Sequence, residues 1–464
     1  MFNSSKFKSI LFFVTYVTFL VFTLDLKVVD ALSLPSGKKN TAEGVSKKFE
    51  ITPTKELMKA NSVINSPTND TESKVLIESG GAQKAENNVE ETVKTVVKED
   101  NGPSALDYIK AIKEKKWEYA PIIDRYIVRY DANSYIVLTI RPELQEMIES
   151  VLAKYDTRMS VGIIQDPYTG EILAMSSSNK NLVTNILEDD YKTDNWALQA
   201  AFPSASIFKI ITSAAGIDSG KLTPNSNFIS EQKRYMKVWK AFATSHNGVF
   251  GRMARQIGKE TLEKYTNLFG FNRPFFFDLP VSKSIADFPQ KQAQFEEAAA
   301  GLNKSFLISP IHVSNIVSTV INRGRTLKPY LVDYVIRNDK VVFKRKPFML
   351  GKPVKLETAT LMHKMMYATT AVGTAKKGFG GYKTCPNLSK FCGGKTGTLT
   401  GAYPNYLFTW FGGFTKITGR MLTITTLVGQ SDHSAVRAPS VAGQIAFELF
   451  KKAKNGKAEQ IVYK

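Results

Sequence analysis

The sequence predicts an α+β domain: one antiparallel sheet made from the first and last strands of the domain, with helices on both faces. Two hairpins and a closing helix predict it. Val161–Gln165 and Glu171–Met175 are apolar runs around Asp166-Pro167-Tyr168-Thr169-Gly170, where Pro and Gly supply the backbone angles of a tight turn. Near the other end, Tyr406–Phe414 and Met421–Val428 flank Lys416–Gly419 in the same way. Ser440 to Lys452 then reads as an amphipathic helix. Helical stretches fill the interval between the hairpins, and no internal repeat is visible.

The elements follow in order along the chain. Lys6 and Lys8 precede an apolar run from Ser9 to Leu24, sixteen residues long. That length falls between a signal h-region and a spanning helix. Residues 9–24 are expected as a transmembrane anchor or signal segment, and residues 1–8 as a cytoplasmic tail, because positive flanks stay inside. Asp30 fits poorly with cleavage after Ala31, which favours an uncleaved anchor. Residues 25–103 are polar, with scarcely an aromatic and no sustained apolar period, the composition of a disordered linker. Aromatics return at Tyr108 and Trp117, and residues 104–134 are expected as a lead-in segment. Residues 135–456 form the large folded domain. It opens with Tyr135–Ile140 as a strand, and Arg141-Pro142-Glu143-Leu144-Gln145 starts a helix with Pro in its first turn.

Composition narrows the function classes. Of 464 residues 43% are hydrophobic, enough for a full core, yet only one apolar run is long enough to consider as a span. A polytopic membrane protein is excluded. The formal charge is +20, but the basic residues are dispersed. With no zinc-finger spacing and no RNP-type aromatic motif, a nucleic-acid partner is not expected; an anionic membrane or cell wall fits the same charge. Cys385 and Cys392 are too few for a disulfide scaffold or a structural zinc site. Pro386 and Asn387 favour a turn between them, so in an oxidising space the two can close a small disulfide loop. His246, His312, His363 and His433 show no H-x-x-x-H spacing, so no metal and no cofactor are expected.

Three motifs carry the chemistry: Ser206-Ile207-Phe208-Lys209, Ser245-His246-Asn247 and Lys395-Thr396-Gly397-Thr398. Each alone is commonplace, an N-capping serine or an Asx turn. In this order they describe an activated serine. Ile207–Ala215 is helix-permissive, so Ser206 is expected at a helix N-terminus, with Lys209 on the same face. Serine is a weak nucleophile and needs a base. Lysine serves only when neutral, which requires burial or a second cation, and Lys395 is the candidate cation. Ser245 can relay a proton to a leaving amine. Asn247 can orient Lys209 or a substrate amide, and His246 is expected as a spectator. An edge strand at Lys395 can pair with an extended peptide. Gly397 lets a ligand approach the backbone, Lys395 with a hydroxyl of Thr396 or Thr398 can hold a C-terminal carboxylate, and the N–H groups of Ser206 and Thr398 can form an oxyanion hole. Gly394-Lys395-Thr396 ends like a P-loop, but that motif needs glycine at the position of Ser389.

With these motifs the chain resembles the transpeptidase domain of penicillin-binding proteins, of the monofunctional, class B-like kind. The likeness covers about residues 135–455. Asp166–Met175, Asn195-Trp196-Ala197 ahead of Pro203, Gly373-Thr374-Ala375 and Trp410–Phe414 are similar to the same family. The resemblance implies a β-lactamase/transpeptidase-like fold and a D,D-transpeptidase. Such an enzyme cross-links peptidoglycan stem peptides ending in D-Ala-D-Ala through a Ser206 acyl-enzyme, and β-lactams acylate it too. It also implies a periplasmic domain on a single-pass inner-membrane anchor, with divisome or elongation proteins as partners. The chain departs from the family at Ala205, where glycine is usual, at Gly301-Leu302, where Gly-Gln is common, and at His246. Residues 25–134 are too short and polar for a glycosyltransferase domain, and the non-catalytic pedestal is missing or reduced to residues 104–134.

Other readings are a D,D-carboxypeptidase, a β-lactamase, and a non-catalytic β-lactam sensor or divisome scaffold. Against a class A β-lactamase, Leu302-Asn303 has Ala299 where the E-x-x-L-N glutamate belongs. Against a dead scaffold, Ser206, Lys209, Ser245 and Lys395 are all present.

Overall fold

The computed structural model describes residues 103–455, apart from 156, 180–181, 184–185, 189, 403–404 and 432–435. The tail, the anchor at 9–24 and, but for Pro103, the linker lie outside the described residues. No helix among the described residues is long and apolar enough to cross a membrane.

The described chain enters on α1 (Ala105–Glu114), followed by β1 (Trp117–Ala120), β2 (Arg125–Asp131) and β3 (Ser134–Leu138). Then come α2 (Pro142–Ala153), β4 (Met159–Gln165), β5 (Ile172–Asn179) and β6 (Leu182–Val183). The helical middle holds α3 (Lys209–Asp218), α4 (Val238–Ala243), α5 (Asn247–Ile257), α6 (Gln292–Ala299) and α7 (Pro310–Ile321). The last part runs β7 (Val332–Arg337), β8 (Lys340–Lys344), α8 (Leu356–Ala371), β9 (Cys392–Thr400), β10 (Leu407–Thr415), β11 (Leu422–Gln430) and α9 (Ala438–Lys454).

The main sheet has six antiparallel strands in the order β9-β10-β11-β4-β5-β6. Its first and last strands come from opposite ends of the domain, as the two hairpins predict. Asp166 makes the first turn, its carboxylate accepting from the amides of Tyr168 and Thr169. Every residue of β4 and β11 is buried, because helices cover both faces. On one face Leu152 of α2 and Ile445 of α9 join Ile164, Phe411 and Ile424 in a single core. On the other lies α7. It approaches closely because Gly412 has no side chain; a Cβ there would stand 2.8 Å from Val313 Cγ1.

Where the sequence predicts one sheet, the described residues form two large ones, with three two-stranded sheets beside them. β3, expected to open the main sheet, pairs instead with β2 and β7, in a five-stranded sheet ordered β1-β2-β3-β7-β8. Ile136 stands opposite Val335 across that pairing. Nothing local in Tyr135–Ile140 marks a partner so far along the chain. The stretch expected as a lead-in supplies α1 and two strands of this sheet. Ser104 caps α1, its hydroxyl accepting from Asp107 N and its amide donating back to the Asp107 carboxylate at 2.7 Å.

Cys385 and Cys392 are both buried in the main core, and both are free thiols. The disulfide expected between them is not formed. Cys392 points inward from β9, and its thiol donates to Thr415 Oγ1 at 3.4 Å. Burial pushes this thiol up to about 12, which suppresses the thiolate that disulfide exchange requires.

Candidate active site

Ser206 sits in a 3₁₀ turn, Ala205–Phe208, that runs directly into α3. The turn is held from three sides. Trp410 Nε1 donates to Pro203 O at 2.9 Å, and Ser204 N donates to Phe306 O at 2.7 Å. Gly301 closes the third side at φ +75°; a Cβ on it would lie 2.1 Å from the Ala205 carbonyl oxygen. Ala205 itself adopts φ +47°. This explains why glycine suits that position, and it means that Ala205 carries strain there. A Cβ on Gly397 would stand 3.1 Å from Ala205 Cβ, so the absence of one lets β9 lie against the Ser206 turn.

Lys209 is the first residue of α3 and is fully buried. Its Nζ lies 2.8 Å from Ser206 Oγ, 2.7 Å from Asn247 Oδ1 and 2.5 Å from Ala300 O. Burial lowers its pKa to about 7. The side-chain spacing expected from the sequence therefore holds, and so does the depression. Its cause is burial rather than Lys395. Lys395 is instead the residue pulled well below its usual value, first by its own burial and then by Lys209.

Ser245 and Asn247 flank a bend between α4 and α5. Ser245 takes φ +58°, like Ala205 a left-handed non-glycine residue. His246, expected as a spectator, caps α5: its Nδ1 accepts from Val249 N at 3.4 Å. Its Nε2 stands 3.1 Å from Glu231 Oε2. Asn247, the first residue of α5, is thereby aimed at Lys209.

β9 is an edge strand, open along one side. Lys395 Nζ donates to Ser245 Oγ and to Thr396 O, both at 2.9 Å. The Lys395 side chain is fully buried behind Ser245 rather than on the surface of the cleft. The cleft holds about 480 Å³ and is lined by Ser206, Ser245, Asn247, Thr396, Gly397 and Thr398, with Thr374, Lys377 and Arg437 on its further side. Thr374 and Thr396 pair through their hydroxyls at 2.5 Å. All three motifs thus meet in one place.

Several residues of the site had no chemical signal in the sequence. Ala300 contributes only a main-chain carbonyl. Lys377 and Arg437 reach the cleft from a turn and from the start of α9. Among the described residues, no cluster of three or more His, Cys, Asp or Glu side chains is placed to hold a metal ion. His312 is structural: buried, bonded to Ser284 Oγ and Phe269 O, and lowered to about 4 by burial.

The sequence profile described as "Penicillin binding protein transpeptidase domain" matches residues 161–451. Stage V sporulation protein D of Bacillus subtilis is 26% identical over 290 residues, covering 56% of this chain and 43% of that protein. The probable peptidoglycan D,D-transpeptidase FtsI of Caulobacter vibrioides is 25% identical over 287 residues, covering 57% and 45%. The matched part thus spans less than half the length of these curated relatives. Among solved structures, the D,D-transpeptidase domain of a peptidoglycan glycosyltransferase from Eggerthella lenta superposes with a TM-score of 0.58 at 21% identity, covering 69% of this chain and 83% of that one. That likeness shows the shared fold. With the three motifs converged on one cleft and the profile matching well over half of its length, this chain belongs to the penicillin-binding protein transpeptidase family.

Proposed function

We propose that this chain is a peptidoglycan D,D-transpeptidase acting through a Ser206 acyl-enzyme. The observation that carries the reading is the buried Lys209, 2.8 Å from Ser206 Oγ and lowered to about 7. Neutral Lys209 takes the Ser206 proton as Oγ bonds to the carbonyl carbon of the penultimate D-alanine. Backbone N–H groups of Ser206 and Thr398 stabilise the oxyanion. The C–N bond then breaks, and the proton passes through Ser245 to the departing D-alanine. An amine from a second stem peptide attacks the ester, loses its proton to Lys209, and returns Oγ to its hydroxyl form. A D,D-carboxypeptidase differs only in that water takes the place of that amine. Slow hydrolysis is supported by the lining: among the described residues of the cleft there is no carboxylate to activate water.

In the proposed setting residues 9–24 anchor the chain in the inner membrane, with the catalytic domain in the periplasm beside divisome or elongation proteins. Recovery of the intact chain from the cytosol on fractionation would count against that placement. The catalytic reading is tested with a fluorescent penicillin. Wild type is expected to label quickly and lose label slowly, and Ser206→Ala to lose labelling outright. Covalent labelling of Ser206→Ala would remove the proposed nucleophile, and rapid turnover of nitrocefin by wild type would favour a β-lactamase.

A further inference from the structure

Under the acyl-transfer reading, the substrate ends in a carboxylate that must be held one residue beyond the scissile bond. Lys395 with a threonine hydroxyl is the expected holder, but the Lys395 Nζ is fully buried and engaged with Ser245 Oγ and Thr396 O. It does not line the cleft. Among the described residues that do, the cations are Lys377 and Arg437.

Their position is built by packing. Arg437 is the N-cap residue of α9, and the next amide, Ala438 N, donates to Thr409 Oγ1 at 3.0 Å. The Ala438 carbonyl accepts from Thr426 Oγ1 at 2.8 Å. The backbone at Arg437 is thereby tied to β10 and β11, next to β9. Lys377 comes from the turn after α8. Gly378 presses that turn onto α9; a Cβ there would lie 2.4 Å from Pro439 O. The two cations therefore share one rim of the cleft, beside the hydroxyl pair of Thr374 and Thr396.

Among the described residues, one Arg437 donor has no acceptor: Nη1 is buried and meets no hydrogen-bond partner. Arg437 as a whole is half-buried and lines the cleft, and a carboxylate is the acceptor whose geometry fits a guanidinium fork. We propose that Arg437, assisted by Lys377, binds the terminal carboxylate of the peptide substrate and of β-lactams, while Lys395 acts from behind Ser245. This inference rests on the acyl-transfer reading of the cleft and assigns its substrate anchor.

The test pairs a change in the protein with a change in the ligand. Second-order acylation rates of Ser206 are measured with benzylpenicillin and with its methyl ester, on wild type and on Arg437→Gln. A lost charge-assisted bond is expected to slow the acid by about tenfold to a hundredfold. The ester, which has no carboxylate to lose, is expected to slow by less than about twofold on the same substitution. Arg437→Lys is expected to recover part of the rate for the acid, and Lys377→Gln to slow the acid several-fold. Should Arg437→Gln not fold, Arg437→Lys and Lys377→Gln carry the same acid-against-ester comparison. Equal losses on acid and ester would show that Arg437 only supports the fold, and no loss on either would show that it is idle; both overturn the proposal. Failure of wild type to label at Ser206 with either ligand would instead overturn the acyl-transfer reading.

Discussion

Lys209 Nζ lies 2.5 Å from the carbonyl oxygen of Ala300, 91 residues away in sequence. A main-chain carbonyl can only accept, and Asn247 Oδ1 at 2.7 Å does the same. A neutral amine has two hydrogens and one lone pair. Those two acceptors take both hydrogens, and the lone pair is left facing Ser206 Oγ at 2.8 Å. The two acceptors orient the amine toward Ser206 Oγ, and burial favours its neutral form.

The pH dependence of acylation follows from this arrangement. Lys209 must be neutral, and its value is lowered to about 7 by burial. Neutral amine is scarce below that value and dominant above it, so the rate should climb through about pH 7 and then level off. Labelling rates measured from acid to mildly basic pH check this. A flat profile across neutrality would mean that Lys209 is not the titrating base.

Two glycines with similar backbones should respond differently to a methyl group. Gly301 at φ +75° and Gly381 at φ +86° both sit in the left-handed region. Nothing lies within 4 Å of a Cβ on Gly381, whereas a Cβ on Gly301 meets the Ala205 carbonyl at 2.1 Å and Ser206 Cα at 3.0 Å. Gly381→Ala is expected to cost only about 1–2 kcal/mol of backbone strain, with labelling intact. Gly301→Ala is expected to cost at least about 3 kcal/mol and to slow labelling by more than about a hundredfold, because the nucleophile turn must move. Equal behaviour of the two variants in melts and labelling would contradict this account.

His246→Ala removes the cap on α5 and with it the aim of Asn247. A stability loss of about 1 kcal/mol is expected, together with slower acylation. His246→Asn keeps a capping acceptor and should recover most of both. Thermal melts and labelling rates read the two effects, and an alanine variant as fast and as stable as wild type would restore His246 to the role of a spectator.

The junction near the second sheet should fail in acid. Asp278 is completely buried and accepts from Leu331 N, Val332 N and Arg345 Nη2, with Lys328 Nζ at 3.7 Å. Burial alone pushes its carboxyl up, but Arg345, Lys328 and the two amides outweigh that and hold it below the usual carboxylate range. The folded value lies below the unfolded one. Its contribution is therefore fully present above the unfolded value of about 4 and is lost as pH falls through the folded value. Asp278→Ala leaves two cations facing each other in a dry site, at a cost of about 3–5 kcal/mol. Urea denaturation at neutral pH measures it, and a loss under about 1 kcal/mol would refute the assignment.

The sequence by itself determined the motif pairing of Ser206 with Lys209 and the periodic elements. Ser206 and Lys209 are three residues apart, so a helical turn alone brings them together, and both hairpins of the main sheet are written in local apolar runs and turn residues. What the sequence left open were relationships between segments far apart. β3 looks like any apolar strand, and only its pairing with β7 assigns it to the second sheet. The carbonyl of Ala300 carries no side-chain signal, yet it orients the Lys209 amine. Lys395 reads as a carboxylate holder in its motif, but the folded chain buries it behind Ser245 and places Arg437 in the cleft lining. Local spacing specifies which groups can react. Burial and long-range packing decide which of them are neutral and which face the ligand.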